Sequence, residues 1–85
     1  MKTFKNLRFK SHPFRGQMAS MYFKNGYGVS VLCGTAFHSN GVDTYEVAIL
    51  RDGEITYDTD ITDDVLGHLS KKEVTEVMKK VQELK

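Results

Sequence analysis

Four side chains belong to types that serve as nucleophiles, proton carriers or soft-metal ligands: Cys33, His12, His38 and His68. No spacing among them matches a zinc site or a catalytic motif, and the histidines fall in different predicted elements. In its predicted strand, Cys33 shares a face with Val29 and Val31, which favours a small buried hydrophobe over a reactive thiol. We therefore predict that the protein is not an enzyme, has no catalytic residue and needs no cofactor.

A second candidate group is acidic and precedes the predicted helices: Asp58, Asp60, Asp63 and Asp64. Carboxylate oxygens are the ligands that Ca²⁺ and Mg²⁺ prefer, but this spacing matches no recognised calcium loop. Acids placed before and within a first helical turn also cap the helix and complement its dipole. We predict this structural role and no metal site, with mimicry of nucleic-acid phosphates as a weaker alternative.

The third candidate is a basic, aromatic segment at the start of the chain, which combines Lys5, Arg8, Lys10 and Arg15 with Phe4, Phe9 and Phe14. Such a mixture can bind phosphates and stack on bases, which makes nucleic acid a candidate partner. The phenylalanines, with Leu7, are equally suited to an edge strand whose cationic neighbours stay in water. A dedicated nucleic-acid binder usually has a clearly basic total, whereas the net charge here is +1.

Length and composition place these residues in one domain, residues 1–85. Residues 1–42 carry six basic side chains and no acidic one, whereas residues 43–85 carry six basic and eleven acidic side chains. The single cysteine excludes an intrachain disulfide framework and favours a reducing cytoplasm. We expect neither a signal peptide nor a membrane partner, because no stretch approaches the roughly 18 to 20 apolar residues of a spanning helix.

The predicted fold class is α+β: an antiparallel sheet of about four to five strands built from hairpins, followed by a short helical turn and a C-terminal amphipathic helix. Residues 1–17 are predicted to form a basic N-terminal strand or arm. Residues 18–58 are predicted to form the hairpin sheet, and residues 60–84 the helical C-terminal part.

The first hairpin is predicted from Asn25-Gly26, which lies between two apolar runs. This dipeptide favours a two-residue turn of type I′, whose twist suits antiparallel strands. Such a turn would place Lys24 opposite Tyr27 and Tyr22 opposite Val29.

The second hairpin is predicted from Asp52-Gly53, which would pair Arg51 with Glu54 across the strands. Between the two hairpins, residues 34–43 are rich in glycine, serine and asparagine and predict a mobile loop. Gly28, inside a predicted strand, indicates a bulge or the close approach of another backbone.

Helical periodicity marks the C-terminal part, where five apolar residues recur on one helix face: Val74, Val77, Met78, Val81 and Leu84. The sequence Ser70-Lys71-Lys72-Glu73 is a capping box, so the helix begins at Ser70. Residues 63–69 are predicted to form a short helical turn capped by Thr62 or Asp60. A charge at Val77 or Val81 is expected to unfold the domain, because the stripe packs on the sheet.

Three segments taken together resemble a group of short, uncharacterised proteins of tailed bacteriophages: NGYGVSV at residues 25–31, YEVAIL at residues 45–50 and ITDDVLG at residues 61–67. The similarity covers most of residues 25–84, whereas the basic start and residues 34–43 are less distinctive. It implies a phage origin and a place in the cytoplasm of a bacterial host cell. Small phage proteins of this kind often bind and inhibit a host or defence protein, and none of the segments names a reaction.

The leading hypothesis is a noncatalytic binding protein that inhibits or redirects a host or defence protein by protein–protein contact. Its expected contact regions are the sheet edge, the loop at residues 34–43 and the basic arm. The candidate binding residues are Lys5, Arg8, Lys10, Phe14, Arg15, Tyr22, Tyr27 and His38. Edge pairing of two copies into a homodimer is compatible with this hypothesis, and a small nucleic-acid-binding protein is the alternative.

Overall fold

The computed structural model of the protein describes residues 1–13, 15–61 and 65–85. Within them, a 3-10 helix at Phe4–Asn6 is followed by β1 (Lys10–His12), β2 (Gly16–Tyr22), β3 (Tyr27–Cys33), β4 (Tyr45–Arg51), β5 (Glu54–Ile55), β6 (Leu66–Leu69) and α1 (Lys71–Gln82). The strands are antiparallel in the order β1-β2-β3-β4-β5, and β6 pairs with the other end of β4. This architecture confirms the predicted α+β fold.

The core lies between α1 and one face of the central strands β3 and β4. Alternate residues of these strands point to the helix, and four of them are fully buried: Val29, Val31, Val47 and Ile49. The helix contributes the predicted stripe, in which Val74, Val77, Met78 and Val81 are buried. Each such side chain stabilises the fold by roughly 1.5 to 3 kcal/mol, so this layer holds helix and sheet together.

The helix begins as predicted, with a complete capping box. The hydroxyl oxygen of Ser70 accepts from the Glu73 backbone N–H at 3.2 Å, and the Glu73 carboxylate accepts from the Ser70 backbone N–H at 2.9 Å. The backbone hydrogen bond from Ser70, followed by its side-chain hydrogen bond, lowers the pKa of Glu73 below its ordinary value. The box thereby satisfies N–H groups that the start of a helix leaves without partners.

The loop of the first hairpin is one residue longer than predicted. Phe23 donates its backbone N–H to the Tyr27 carbonyl at 2.8 Å, and Gly26 donates to the Phe23 carbonyl at 3.1 Å. Gly26 has a φ of +88°, the left-handed conformation that follows a type I turn and forms a bulge. The loop therefore contains residues 24–26 and not two residues.

This longer loop shifts the register of the hairpin by one residue, so the two predicted cross-strand pairs are wrong. Tyr22 lies opposite Gly28, and Val29 lies opposite Met21. A one-residue shift moves a side chain to the other face of a sheet. Tyr22 therefore lies on the face opposite the helix, away from the buried valine.

The second hairpin agrees with the prediction. Asp52 and Gly53 have φ angles of +54° and +86°, as a type I′ turn requires, and Arg51 pairs with Glu54. The returning strand is short, because β5 contains only Glu54 and Ile55.

The loop at residues 34–43 is held by hydrogen bonds, which corrects the prediction of a mobile loop. Ser39 is buried, accepts from the backbone N–H groups of Gly34 and Gly41, and donates to the Thr44 carbonyl at 2.6 Å. The side-chain oxygen of Asn40 accepts from three consecutive backbone N–H groups, those of residues 42–44, at 2.8 to 3.1 Å. The polar side chains of this loop thus form the hydrogen bonds to its backbone groups that a helix or strand would otherwise supply.

The N-terminal segment does not form one strand over residues 1–17. The 3-10 helix contacts α1, where Phe4 donates its backbone N–H to the Thr75 hydroxyl at 3.1 Å. The rings of Phe4 and Phe9 lie 5.0 and 5.8 Å from the ring of Tyr45, between centroids, and Leu7 is buried. Because burial of these apolar side chains bends the chain towards the core, only β1 follows the predicted edge strand.

The helical turn predicted over residues 63–69 is wrong where the structure describes it, because Leu66–Leu69 is a strand. Leu69 pairs with Tyr45 of β4, and His68 donates its backbone N–H to the His38 carbonyl at 2.8 Å. Pairing with an available sheet edge outweighs the local helical pattern here. Thr62, Asp63 and Asp64, which include one predicted cap and two of the acidic residues, lie outside the described residues.

Val81→Lys should unfold the protein at 25 °C, because Val81 is 0 % exposed in the centre of the core. The substitution loses apolar burial and also buries an unpaired ammonium group, whose desolvation is unfavourable. Together these effects should cost at least about 3 kcal/mol, whereas a small domain is stabilised by roughly 5 to 15 kcal/mol in total. Circular dichroism melting measures the effect, with Glu76→Lys on the exposed face of α1 as the matched control. Equal melting temperatures for the two variants would contradict this account of the core.

Glu73→Gln should lower stability at neutral pH and lose this effect in acid. A carboxyl whose folded-state pKa is lowered contributes stability above its unfolded-state pKa, and the contribution disappears as the pH falls through the folded-state value. Urea unfolding at several pH values between about 2 and 7 measures the difference from the wild type. Glu76→Gln, which removes an equally exposed carboxylate without a capping role, serves as the control, and a pH-independent difference for Glu73→Gln would refute the assignment.

Candidate functional site

The face of the sheet opposite α1 carries three rows of side chains that follow from the strand register. The first row contains Lys10, Met18, Leu32 and Glu46; the second contains Ser20, Ser30 and Ala48; the third contains Tyr22, Gly28, Leu50 and Ile55. We call these eleven residues the open face. Apart from Lys10 and Glu46 at opposite ends of the first row, its side chains are uncharged.

The third row leaves the largest apolar side chains accessible. Tyr22 is 48 % exposed and Ile55 is 46 % exposed, although Leu50 between them is buried. A Cβ atom at Gly28 would lie 2.5 Å from the Met21 carbonyl oxygen and 2.9 Å from Cδ1 of Tyr22. The close backbone approach predicted at Gly28 is therefore confirmed, and its purpose is to let the Tyr22 ring lie across the strand.

The far end of the sheet is capped by the ring of Phe37. A Cβ atom at Gly16 would lie 3.1 Å from this ring, and one at Gly34 would lie 3.2 Å from it. The ring of His12 meets the Phe37 ring edge-on, with 4.8 Å between centroids. The glycines at both positions therefore leave room for the Phe37 ring to pack against the backbone at this end of the sheet, beside the first row.

One edge of β2 is only half covered. β1 pairs with β2 from Gly16 to Met18, and within the described residues the ladder goes no further. Along β2, the backbone groups of successive residues point alternately towards β3 and away from it. Because Phe23 bonds to Tyr27 of β3, the N–H and C=O groups of Ser20 and Tyr22 point away from β3. We call this stretch, residues 20–22, the free edge; no hydrogen bond from the described residues reaches its outward groups.

A cavity of about 540 Å³ adjoins the free edge and is lined by Met1, Lys2, Asn6, Tyr22, Phe23, Lys24, Asn25 and Gln82. Two of its amides are occupied by structural hydrogen bonds. Gln82 pairs with the main chain of Lys2 at 2.9 and 2.8 Å, and Asn25 donates to the carbonyls of Val81 and Leu84. The charged groups among the lining side chains, Lys2 and Lys24, are both basic.

The charged side chains of the N-terminal segment and of the first hairpin loop are basic as well. Lys5, Arg8, Lys10 and Lys24 are all exposed. Within the described residues the one ion pair is that of His38 with Glu46 at 3.4 Å, so no described carboxylate lies within 4 Å of these four cations. The positive charge of residues 1–42 is therefore carried by Lys10 in β1 and by the segments that flank the strands, because β2 and β3 contain no charged residue.

The structure separates the predicted binding residues into three groups. Six are exposed: Lys5, Arg8, Lys10, Arg15, Tyr22 and His38. Phe14 lies outside the described residues. The prediction that Tyr27 is exposed is wrong, because it is 9 % exposed and the Arg51 guanidinium lies over its ring, 5.1 Å from the centroid, and donates to its hydroxyl at 3.1 Å.

The exposed candidates do not form one cluster. Lys10 and Tyr22 lie on the open face, and Arg15 lies in the turn between β1 and β2, with a φ of +59°. His38 contacts Glu46 at the rim of that face. Phe4 and Phe9, which base stacking by the basic arm would use, are partly buried and pack against the core instead.

Cys33 is 8 % exposed, which confirms its predicted burial. It lines a second cavity, of about 430 Å³, together with Arg15, Gln17 and Tyr45 among others. Burial raises the pKa of Tyr45, and the neighbouring Cys33 and Asp43 raise it further. Within the described residues, no three histidine, cysteine or acidic side chains are placed to hold a metal ion.

Sequence reasoning missed most of the open face, including Met18, Leu32 and Ile55. Alternation in β2, β3 and β4 could have identified it, since one set of alternate residues is valine-rich and the other mixes serine, methionine and leucine. The incorrect hairpin register concealed it, because it paired Tyr22 with Val29 of the core face.

No protein-family model matches the chain, and no curated protein or solved structure matches it either. Within the described residues, no helix combines the length and apolar character needed to cross a membrane.

Proposed function

We propose that the chain is a noncatalytic binding protein of the phage type, which acts in the cytoplasm of a bacterial host cell. It inhibits or redirects a host or defence protein by protein–protein contact through the open face. The observation that carries this proposal is the exposed apolar surface formed by Tyr22 and Ile55 on the side of the sheet that α1 does not cover.

The composition of the open face supports a protein partner. Cores of protein–protein interfaces are enriched in tyrosine and depleted of charge, which describes the row around Tyr22, where every side chain is uncharged. Charged side chains lie at its margin, where Lys10 is exposed and Glu46 is paired with His38. Tyr22 and Ile55 lie at the two ends of the third row, and exposed apolar surface on one face of a small protein commonly marks an interaction site.

The geometry also bears on the nucleic-acid alternative. The exposed cations Lys5, Arg8 and Arg15 favour contact with phosphates. Phe4 and Phe9 are partly buried, with their rings packed against the core and each other, which makes them poor aromatic platforms for single-strand binding. A protein partner therefore explains more features of the surface than a nucleic acid does. Sensitivity of the captured material to nuclease distinguishes the two partners.

The test is affinity purification of the tagged protein from bacterial host lysate, with and without nuclease, followed by mass spectrometry. The interface variant combines Tyr22→Ser and Ile55→Ser, and the control is Val42→Ser, which removes an apolar side chain that is 79 % exposed in the loop at residues 34–43. Circular dichroism confirms that all three proteins are folded.

We expect the wild type and the Val42→Ser control to retain the same protein after nuclease treatment. The interface variant should recover at least about fivefold less of it, since a few buried aromatic and apolar residues dominate interface energetics. Equal recovery by both variants would reject the open face, and recovery that disappears with nuclease would favour the nucleic-acid alternative.

A further inference from the structure

We propose that the free edge of β2 binds an extended acidic segment of the partner protein as an added β-strand. The added strand continues the line of β1 along β2, and an acidic side chain from it lies in the adjoining cavity. This inference rests on the proposed function, because it specifies how the partner is held. Three independent features of the described residues support it: backbone groups without a described hydrogen bond, basic side chains without a described carboxylate nearby, and a cavity at the same place.

The first feature is the backbone of the free edge. Ser20 and Tyr22 each direct an N–H and a C=O group outward, so an added strand can form up to four main-chain hydrogen bonds there. Both residues are exposed. Exposed edges are usually blocked or shortened in monomeric proteins, which makes an uncovered stretch of a seven-residue strand a site for strand addition.

The second feature is charge, which specifies the chemistry of the partner. Arg8 precedes β1, Lys10 ends the covered stretch, and Lys24 follows β2, so the free edge lies between basic residues. None of them has a described carboxylate within 4 Å. Aspartate or glutamate on the added strand would supply the missing counter-charges and would also increase the rate of association.

The third feature is the cavity, which lies at the Tyr22 end of the free edge. It is large enough for a side chain, at about 540 Å³, and its charged lining residues are Lys2 and Lys24. Two parts of its wall are held by hydrogen bonds: Gln82 holds the main chain of Lys2, and Asn25 holds the last turn of α1. A preformed cavity reduces the entropy lost on binding.

The same charges disfavour a second copy of the chain as the occupant. Edge-to-edge pairing of two free edges would place the basic side chains of both copies next to each other, and like charges across strands destabilise a sheet. The acidic residues of the chain begin at Asp43, beyond the strands that form this edge.

The test uses a fluorescein-labelled heptapeptide in which glutamate and valine alternate, with a lysine–valine heptapeptide as the charge control. Fluorescence anisotropy measures its affinity for the full chain. Ser20→Pro removes the outward N–H group without touching the bonds to β3, and Ser20→Ala is the matched control that keeps it. Lys2→Ala with Lys24→Ala tests the cavity, and Lys79→Ala with Lys80→Ala on the exposed face of α1 controls for lost charge.

We expect the glutamate peptide to bind and the lysine peptide not to bind. Ser20→Pro should weaken binding at least about tenfold relative to Ser20→Ala, since it removes a main-chain hydrogen bond. The cavity pair should weaken binding and the helix pair should not. If Ser20→Pro fails to fold, a glutamate peptide methylated at alternate backbone nitrogens takes its place and should bind at least tenfold more weakly than the unmodified peptide.

Equal affinity for Ser20→Pro and Ser20→Ala would overturn the proposal, as would equal binding of the two peptides. A dimer seen by sedimentation in the wild type and lost in Ser20→Pro would also overturn it, in favour of a second copy. If the peptide fails while capture from lysate still depends on Tyr22 and Ile55, strand addition is wrong and the protein-binding function stands. If the peptide binds as predicted but the Tyr22→Ser/Ile55→Ser variant captures as much protein from lysate as the Val42→Ser control, the open face is rejected and strand addition stands.

Discussion

Burial of one valine-rich face of β3 and β4 under α1 is the constraint on which the rest of the structure depends. Val29, Val31 and Val47 are fully buried there, and alternate residues of the same strands must then point the other way. The N-terminal segment joins this layer because Phe4 and Phe9 pack on Tyr45. The chain bends into the core at that point, so the N-terminal segment does not continue as a strand along β2, and β1 covers only part of its neighbour. The free edge is thus a consequence of how the core is filled.

Local signals predicted the elements that depend on local chemistry. The capping box at Ser70 and the type I′ turn at Asp52-Gly53 were readable, because each depends on side chains a few residues apart. The position of β6 was not, because Leu66–Leu69 becomes a strand only when the edge of β4 is beside it. The register of the first hairpin was predicted wrongly because Asn25-Gly26 suits both two-residue and three-residue loops, and the structure has the longer one.

The candidate surface, like the fold, could be predicted from the sequence only in part. The charge difference between the two halves of the chain was visible in the sequence, and so was the exposure of Arg8 and Lys10. Their arrangement was not, because it requires knowing that the basic half supplies three neighbouring strands and that β1 is short. An uncharged row of the open face, a half-covered edge and a basic cavity then adjoin one another at Tyr22. These features are complementary to a partner that contributes both apolar surface and acidic extended backbone.

Amide hydrogen exchange of the free protein, resolved by residue with NMR, tests the central claim most directly. The amides of Ser20 and Tyr22 should exchange at least about tenfold faster than that of Met21, whose N–H points to β3, because local protection follows hydrogen bonding within the ladder. That result would establish an open edge before any partner is present. Equal, strong protection of all three amides would mean that the edge is already paired and would contradict the account.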